Sequence, residues 1–219
     1  MKSALVGRSW HLVTFAVAAV ALVLQLALII SGQNVLEGAA RPVADLERVR
    51  RYFCYFTIQS NFLVAVAMLF ILRERTDGTV FRVLRLASLI GITVTGIVAA
   101  IALPPSPTYS TLNLICDRLL HIAVPVLTLV GWVAFGPRDR VRRSDVPLTL
   151  VWPVLWLVAT LALGPVVDWY PYPFLDVSVL GTAQVLVNCV VIALVFVGLA
   201  ALALWADRRL PRNRATMSP

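Results

Sequence analysis

Six long apolar runs, at about residues 10–31, 53–72, 83–103, 112–135, 147–166 and 177–205, take up most of this chain and leave short connections between them. Each is long enough to cross a hydrocarbon core, which takes about 20 residues of helix. Lipid offers no water to bare peptide groups, so a run that crosses must satisfy its backbone internally, as a helix. The 219 residues are 60% hydrophobic with a mean hydropathy of +0.87, whereas a soluble domain is roughly half apolar. The expected fold is all-α: one polytopic membrane domain over residues 1–219, a bundle of six transmembrane helices with no soluble domain, internal repeat or low-complexity segment. The first run follows Lys2 and Arg8, as a secretory signal would. It is too long for the apolar core of a signal, and no A-x-A site follows it cleanly, so it is expected to be a retained helix.

The net charge of +8 invites a nucleic-acid reading, but its distribution argues for topology. With the N-terminus cytoplasmic, Lys2, Arg8, Arg73, Arg75, Arg82, Arg85, Arg138, Arg140, Arg142, Arg143, Arg208, Arg209, Arg212 and Arg214 fall on inner segments, fourteen of the nineteen basic residues. This is positive-inside bias, with both termini cytoplasmic. Trp10, Trp132, Trp152 and Trp205 fall near the inner interface and the tyrosines near the outer one, as aromatic belts require. The implied partner is membrane lipid or a lipid-like small molecule, not nucleic acid, and the location is the cell membrane. The oligomeric state is open. Cys54, Cys116 and Cys189 read as small packing residues inside helices. The chain has no metal-ligand spacing, no Gly-rich phosphate loop and neither a G-x-S-x-G nor an H-E-x-x-H motif, so no metal or cofactor is expected.

The second run begins YFCYFTIQSNFLV and carries Thr57, Gln59, Ser60 and Asn61 within five positions. Thr57 is expected ~9 Å past Arg51 by helical rise, with Asn61 one turn deeper. The fourth run carries Asn113, Asp117, Arg118 and His121; Asn113, Asp117 and His121 are spaced by four and share a stripe. Gln184 and Asn188 form a stripe on the sixth run, and Gln25 on the first comes near. These groups gather in the outer half of the membrane and suggest a shared polar cavity, while the inner halves read as almost purely apolar. His11 reads as a solvated flank. Pro125, four residues after His121, lacks the N–H that would bond the His121 carbonyl, so a kink is expected there.

Ionisable residues inside a membrane are expensive and point to function. A hydroxyl becomes a nucleophile when a base takes its proton and a third group orients that base. His121 has the side chain suited to be that base. Thr57 or Ser60 can supply the hydroxyl, Asp117 can hold the imidazole, Asn61 or Asn188 can donate to an oxyanion, and Arg118 can hold a carboxylate. Asp117 and Arg118 are expected inside the bundle, and Gln59 belongs to the same polar wall.

The FTIQSN segment, the HIAVP segment of the fourth run and the outer loop YPYPFLD resemble a family of bacterial six-helix membrane proteins over essentially the whole chain. More distantly the arrangement is similar to the androgen-induced integral membrane proteins of animals, threonine hydrolases that cleave fatty acid esters of hydroxy fatty acids. That resemblance implies Thr57 as nucleophile and His121 as base. The chain departs from the pattern in its Thr-x-x-Ser-Asn run and in the Asp-Arg pair before the histidine.

Arg48, Arg50 and Arg51 read as locally paired with Asp45 and Glu47, or as a basic collar for an anionic amphiphile. The loop YPYPFLD, bracketed by Asp168 and Asp176, reads as turns or as a rigid lid. The leading expectation is an intramembrane Thr/His hydrolase of lipid-like esters with its site in the outer half of the bilayer. A small transporter or lipid-binding protein using the same cavity is the second, and a membrane scaffold or regulator the third.

Overall fold

The computed structural model describes residues 2–32, 44–103, 110–138 and 141–210. Arg41, Arg140, Arg212 and Arg214 therefore lie outside the described residues, as does the side chain of Lys2. The chain forms α1 (Lys2–Ile30), α2 (Asp45–Cys54), α3 (Phe56–Leu72), α4 (Gly78–Ala102), α5 (Thr111–Arg118), a π-helical turn (Leu119–Ala123), α6 (Val124–Phe135), α7 (Asp145–Val167), a 3-10 turn (Pro173–Leu175) and α8 (Val177–Arg209). Among the described residues there is no strand. Five helical spans are long and apolar enough to cross a membrane, and six if the bent pair α2–α3 counts as one.

Local chemistry fixes several ends. Asp45 and Glu47 sit in the first turn of α2 and Arg51 in its last, which complements the helix dipole. Ser110 accepts the Asn113 N–H to start α5, and Asp176 accepts the Ser178 and Val179 N–H groups to start α8. The aspartates that bracket YPYPFLD are thus caps: Asp168 closes α7 in the left-handed region at φ 48°. Gly181 interrupts α8 at φ 74°, ψ 157°, a backbone conformation essentially restricted to glycine.

α1 packs on α3 and α6, and α4 packs on the same two helices, so α1, α3, α4 and α6 surround a common interior. α7 and α8 pack on α4 and touch each other sparsely. Their other faces present large exposed apolar side chains, among them Val151, Leu155, Val158, Val187, Val190 and Leu194, as lipid-facing helices do. One end of the bundle carries Tyr52, Tyr55, Tyr170 and Tyr172; the other carries Arg73, Arg82, Arg142 and Arg208. They are called below the tyrosine end and the arginine end.

Four expectations fail here. The second apolar run is not one helix: Tyr55 is extended at φ −70°, ψ 127°, and α2 and α3 meet at 66°, so depth counted from Arg51 does not carry across to Thr57. His11 is not a solvated flank but is 4% exposed. The half of the bundle towards the arginine end is not purely apolar, because Arg85, Thr14, Ser88 and Thr128 are buried there with His11. Trp152 is also turned inward, stacked on Phe56 with ring centroids 4.6 Å apart.

Candidate active site

The break at Tyr55 frees backbone groups that the bundle must satisfy. On the α2 side, Gln59 Nε2 donates to the Phe53 carbonyl at 2.9 Å and Trp156 Nε1 to the Cys54 carbonyl at 2.8 Å. Gln59 Oε1 in turn accepts from Trp152 Nε1 at 2.7 Å. On the α3 side, Thr57 lies in the first turn, where N–H groups have no helical acceptor. Its N–H donates to the Tyr172 hydroxyl at 3.1 Å. The break therefore places a helix N-terminus inside an apolar run, with Thr57 at its mouth.

The second irregularity faces it. α5 passes into the π turn Leu119–Ala123, and α6 follows with Pro125 in its first turn. The Val124 N–H reaches back five residues to the Leu119 carbonyl. In that register the next donor would serve the Leu120 carbonyl, but it belongs to Pro125, which has no N–H. Asn61 Nδ2 supplies the bond instead, at 3.3 Å, and also donates to the Thr57 carbonyl at 2.8 Å. The irregularity expected at Pro125 is thus a π turn, and the carbonyl it releases to a neighbouring helix is that of Leu120. Asn61 ties both irregular segments together with its amide group. With both N–H bonds committed to backbone carbonyls, it is not free to donate to an oxyanion, contrary to expectation.

Between these segments Thr57 Oγ1 lies 3.2 Å from His121 Nε2. The other ring nitrogen, Nδ1, lies 2.9 Å from Asp117 Oδ1 and 3.1 Å from the Asp117 carbonyl. An ionised carboxylate and a carbonyl only accept, so Nδ1 carries the proton and Nε2 is left to accept from the threonine hydroxyl. Tyr172 adds a fourth member: its hydroxyl is 3.1 Å from Thr57 Oγ1. Having accepted the Thr57 N–H, it donates to Oγ1. The protons then run in one sense, from the Thr57 N–H through Tyr172, Thr57 and His121 to Asp117. Thr57 is 7% and Tyr172 6% exposed, and the Asp117 and His121 side chains are partly buried.

Other residues expected at the site are placed elsewhere. Ser60 Oγ donates to the Thr57 carbonyl at 3.0 Å and pairs with Thr95 Oγ1 at 2.7 Å, so it faces α4 rather than His121. Arg118 is exposed and not inside the bundle. Asn188 donates to the Phe174 carbonyl at 2.8 Å and accepts from Gln184 at 3.0 Å, so the sixth-run stripe braces the YPYPFLD loop instead of joining the cavity. Asn113 is buried and bonded to Ser110 at the start of α5. The arginines of α2 pair locally: Arg48 with Asp45, and Arg50 and Arg51 with Glu47 at 2.6 and 2.8 Å. Arg50 and Arg51 also stack over Trp169 at 5.6 and 4.9 Å, which fastens α2 to the loop that delivers Tyr172. Tyr172 is the member that sequence reasoning missed. Its signal was the paired prolines around it, which stiffen a loop enough to hold a side chain in place.

A cavity of about 160 Å³ reaches Thr57 between α3, α4, α7 and α8, and His121 is not among the residues that line it. Its lining is almost wholly apolar, with Thr57, Thr95 and Tyr172 as the hydroxyl-bearing members. It comes to the flank of the bundle at Val154 and Val197, each 56% exposed. Fold and site together define an all-helical protein whose helices are long and apolar enough to span a membrane, with a partly buried hydroxyl–imidazole–carboxylate chain between them. No family model matches the chain, and no match is found among curated proteins or solved structures.

Proposed function

We propose that this protein is an intramembrane hydrolase of lipid-like esters, with Thr57 as nucleophile and His121 as base. The observation that carries the reading is the continuous Asp117–His121–Thr57 chain, at 2.9 and 3.2 Å, ending in an apolar cavity. Thr57 Oγ1 attacks the ester carbonyl as Nε2 of His121 takes its proton, and Asp117 holds the imidazolium that forms. The developing oxyanion is met by donors at the α3 N-terminus: the Thr57 N–H, which now donates to Tyr172, and the Tyr172 hydroxyl, which now donates to Thr57 Oγ1. The imidazolium protonates the leaving alkoxide, leaving an acyl-threonine. Water, deprotonated by the same imidazole, then releases the acid and restores Thr57.

The cavity suits an acyl chain, since its walls are apolar and it opens on a flank that lipid would cover. Placing the arginine end on the cytoplasmic side sets both termini inside, makes the chain a six-span cell-membrane protein and puts the site in the outer half of the bilayer. The lateral apolar cavity also favours a second reading, a lipid-binding or small transport protein that holds an amphiphile without cleaving it.

Hydrolysis of medium- and long-chain esters by the purified protein separates the two. Thr57→Ala and His121→Ala should each abolish turnover in folded protein, and the double variant should lose little more, because residues acting as a unit are not additive. Ser60→Ala should retain activity. Wild-type turnover in Thr57→Ala removes the assignment, and binding without cleavage by the wild type selects the second reading.

A further inference from the structure

A separate group of polar side chains lies towards the arginine end, in the interior enclosed by α1, α3, α4 and α6. His11 on α1, Arg85 on α4 and Thr128 on α6 are 4%, 5% and 1% exposed. By helical rise each stands roughly 10–13 Å from its helix's end there, so the three share one level. α1 and α6 are pressed together at this level: a Cβ at Gly131 would meet the Trp10 ring at 2.9 Å and His11 Cε1 at 3.6 Å. His11 lies within electrostatic reach of Arg85. An apolar layer that includes Ala18, Val64, Met68, Ile92 and Val124 packs between this group and the Thr57 site.

The neighbouring hydroxyls are satisfied locally, Thr14 on the Trp10 carbonyl and Ser88 on that of Arg85. His11 Nδ1, Thr128 Oγ1 and all three guanidinium nitrogens of Arg85 are buried with no hydrogen-bond partner among the described residues. Among the described residues, acids at this end are engaged: Glu74 by Arg8, Asp145 by Arg82, and Asp207 by the Val141 N–H. Asp77 precedes Arg85 by eight residues, ~12 Å along α4. A guanidinium buried without a counter-charge is strongly destabilising, and the five N–H donors of this one lie in the same interior as an unpartnered hydroxyl and imidazole. Closed burial restricts the ligand to a small one, and a single cation favours a single negative charge.

We propose that Arg85, with Thr128 and His11, binds a small monovalent inorganic anion of chloride size inside the bundle. This site is independent of the esterase reading. The test is thermal unfolding of the full-length protein in detergent at constant ionic strength, with gluconate replaced stepwise by chloride or bromide. The wild type should gain a saturable rise in Tm with either halide, as a ligand that binds the folded state produces. Arg85→Met, which replaces a buried charge by an apolar chain of similar reach, should show no difference between anions. Thr128→Val should move the chloride midpoint to about tenfold higher concentration, the value of one hydrogen bond to a charged partner. A wild-type Tm identical in gluconate, chloride and bromide overturns the proposal, as does an equal rise in Arg85→Met. Should Arg85→Met fail to fold, crystals grown in bromide decide: an anomalous peak beside the Arg85 guanidinium supports the site, and none there rejects it.

Discussion

Replacing Asn61 by leucine keeps most of its volume and removes the amide that joins the two irregular helices. The Thr57 carbonyl then still has Ser60 Oγ at 3.0 Å. The Leu120 carbonyl loses the side-chain donor that Asn61 supplies, and Pro125 cannot replace it. The uncompensated group is thus one buried carbonyl, for which mutational series give about 1–3 kcal/mol. Bonds between membrane helices average about 0.6 kcal/mol and reach about 1.7, so roughly 1–2 kcal/mol is the expected loss. Reversible unfolding in mixed micelles measures it, with Phe62→Ala as a control, since Phe62 is the adjacent residue and 59% exposed. The π turn also loses its brace, so His121 should drift from Thr57 and ester turnover should fall by more than stability alone explains. If Asn61→Leu is no less stable than Phe62→Ala, the Leu120 carbonyl does not depend on Asn61 and the account of the π turn is wrong.

Tyr172→Phe keeps the ring that packs on Tyr55, Trp156 and Phe174 and deletes one oxyanion donor. Its kcat should fall by on the order of 10²-fold, and an unchanged or increased kcat would leave Tyr172 as packing alone. Arg118→Ala should change stability by less than about 0.5 kcal/mol, as exposed substitutions do; a loss of several kcal/mol in the same unfolding assay would return Arg118 to the bundle interior. Membrane-impermeant thiol labelling of intact cells should reach Ser110→Cys and miss Arg142→Cys, both exposed positions, and the reverse pattern would turn the site to the cytoplasmic side.

The helices were legible because each needs only an apolar run; the polar stripes pointed to a shared cavity, but the pairing of Thr57 with His121 came from the distant resemblance alone, since depth counted from Arg51 does not carry across the break. The break at Tyr55 was not legible, since one extended residue between two helices leaves an apolar pattern unchanged. Gln59, which serves the Phe53 carbonyl, was no signal of it, because an amide in a continuous helix can equally bond to a neighbouring helix, as Gln59 does with Trp152. Pro125 announced an irregularity but not its register, and the π turn moved the released carbonyl from His121 to Leu120. Arg85 and His11 read as interface residues because polar side chains at the start of an apolar run usually mark one. The helices begin earlier, at Gly78 and Lys2, and carry both residues into the interior. Arg118 was misjudged for a simpler reason: it follows Asp117 directly, and adjacent helical residues point apart.

The central claim is that His121 activates the Thr57 hydroxyl. Treating the purified protein with a long-chain alkyl fluorophosphonate and locating the adduct by mass spectrometry tests it most directly. One adduct per chain is expected, on the peptide that contains Thr57. It should be absent in Thr57→Ala and greatly slowed in His121→Ala. No adduct on folded wild type, or one that forms at the wild-type rate without His121, would contradict the account.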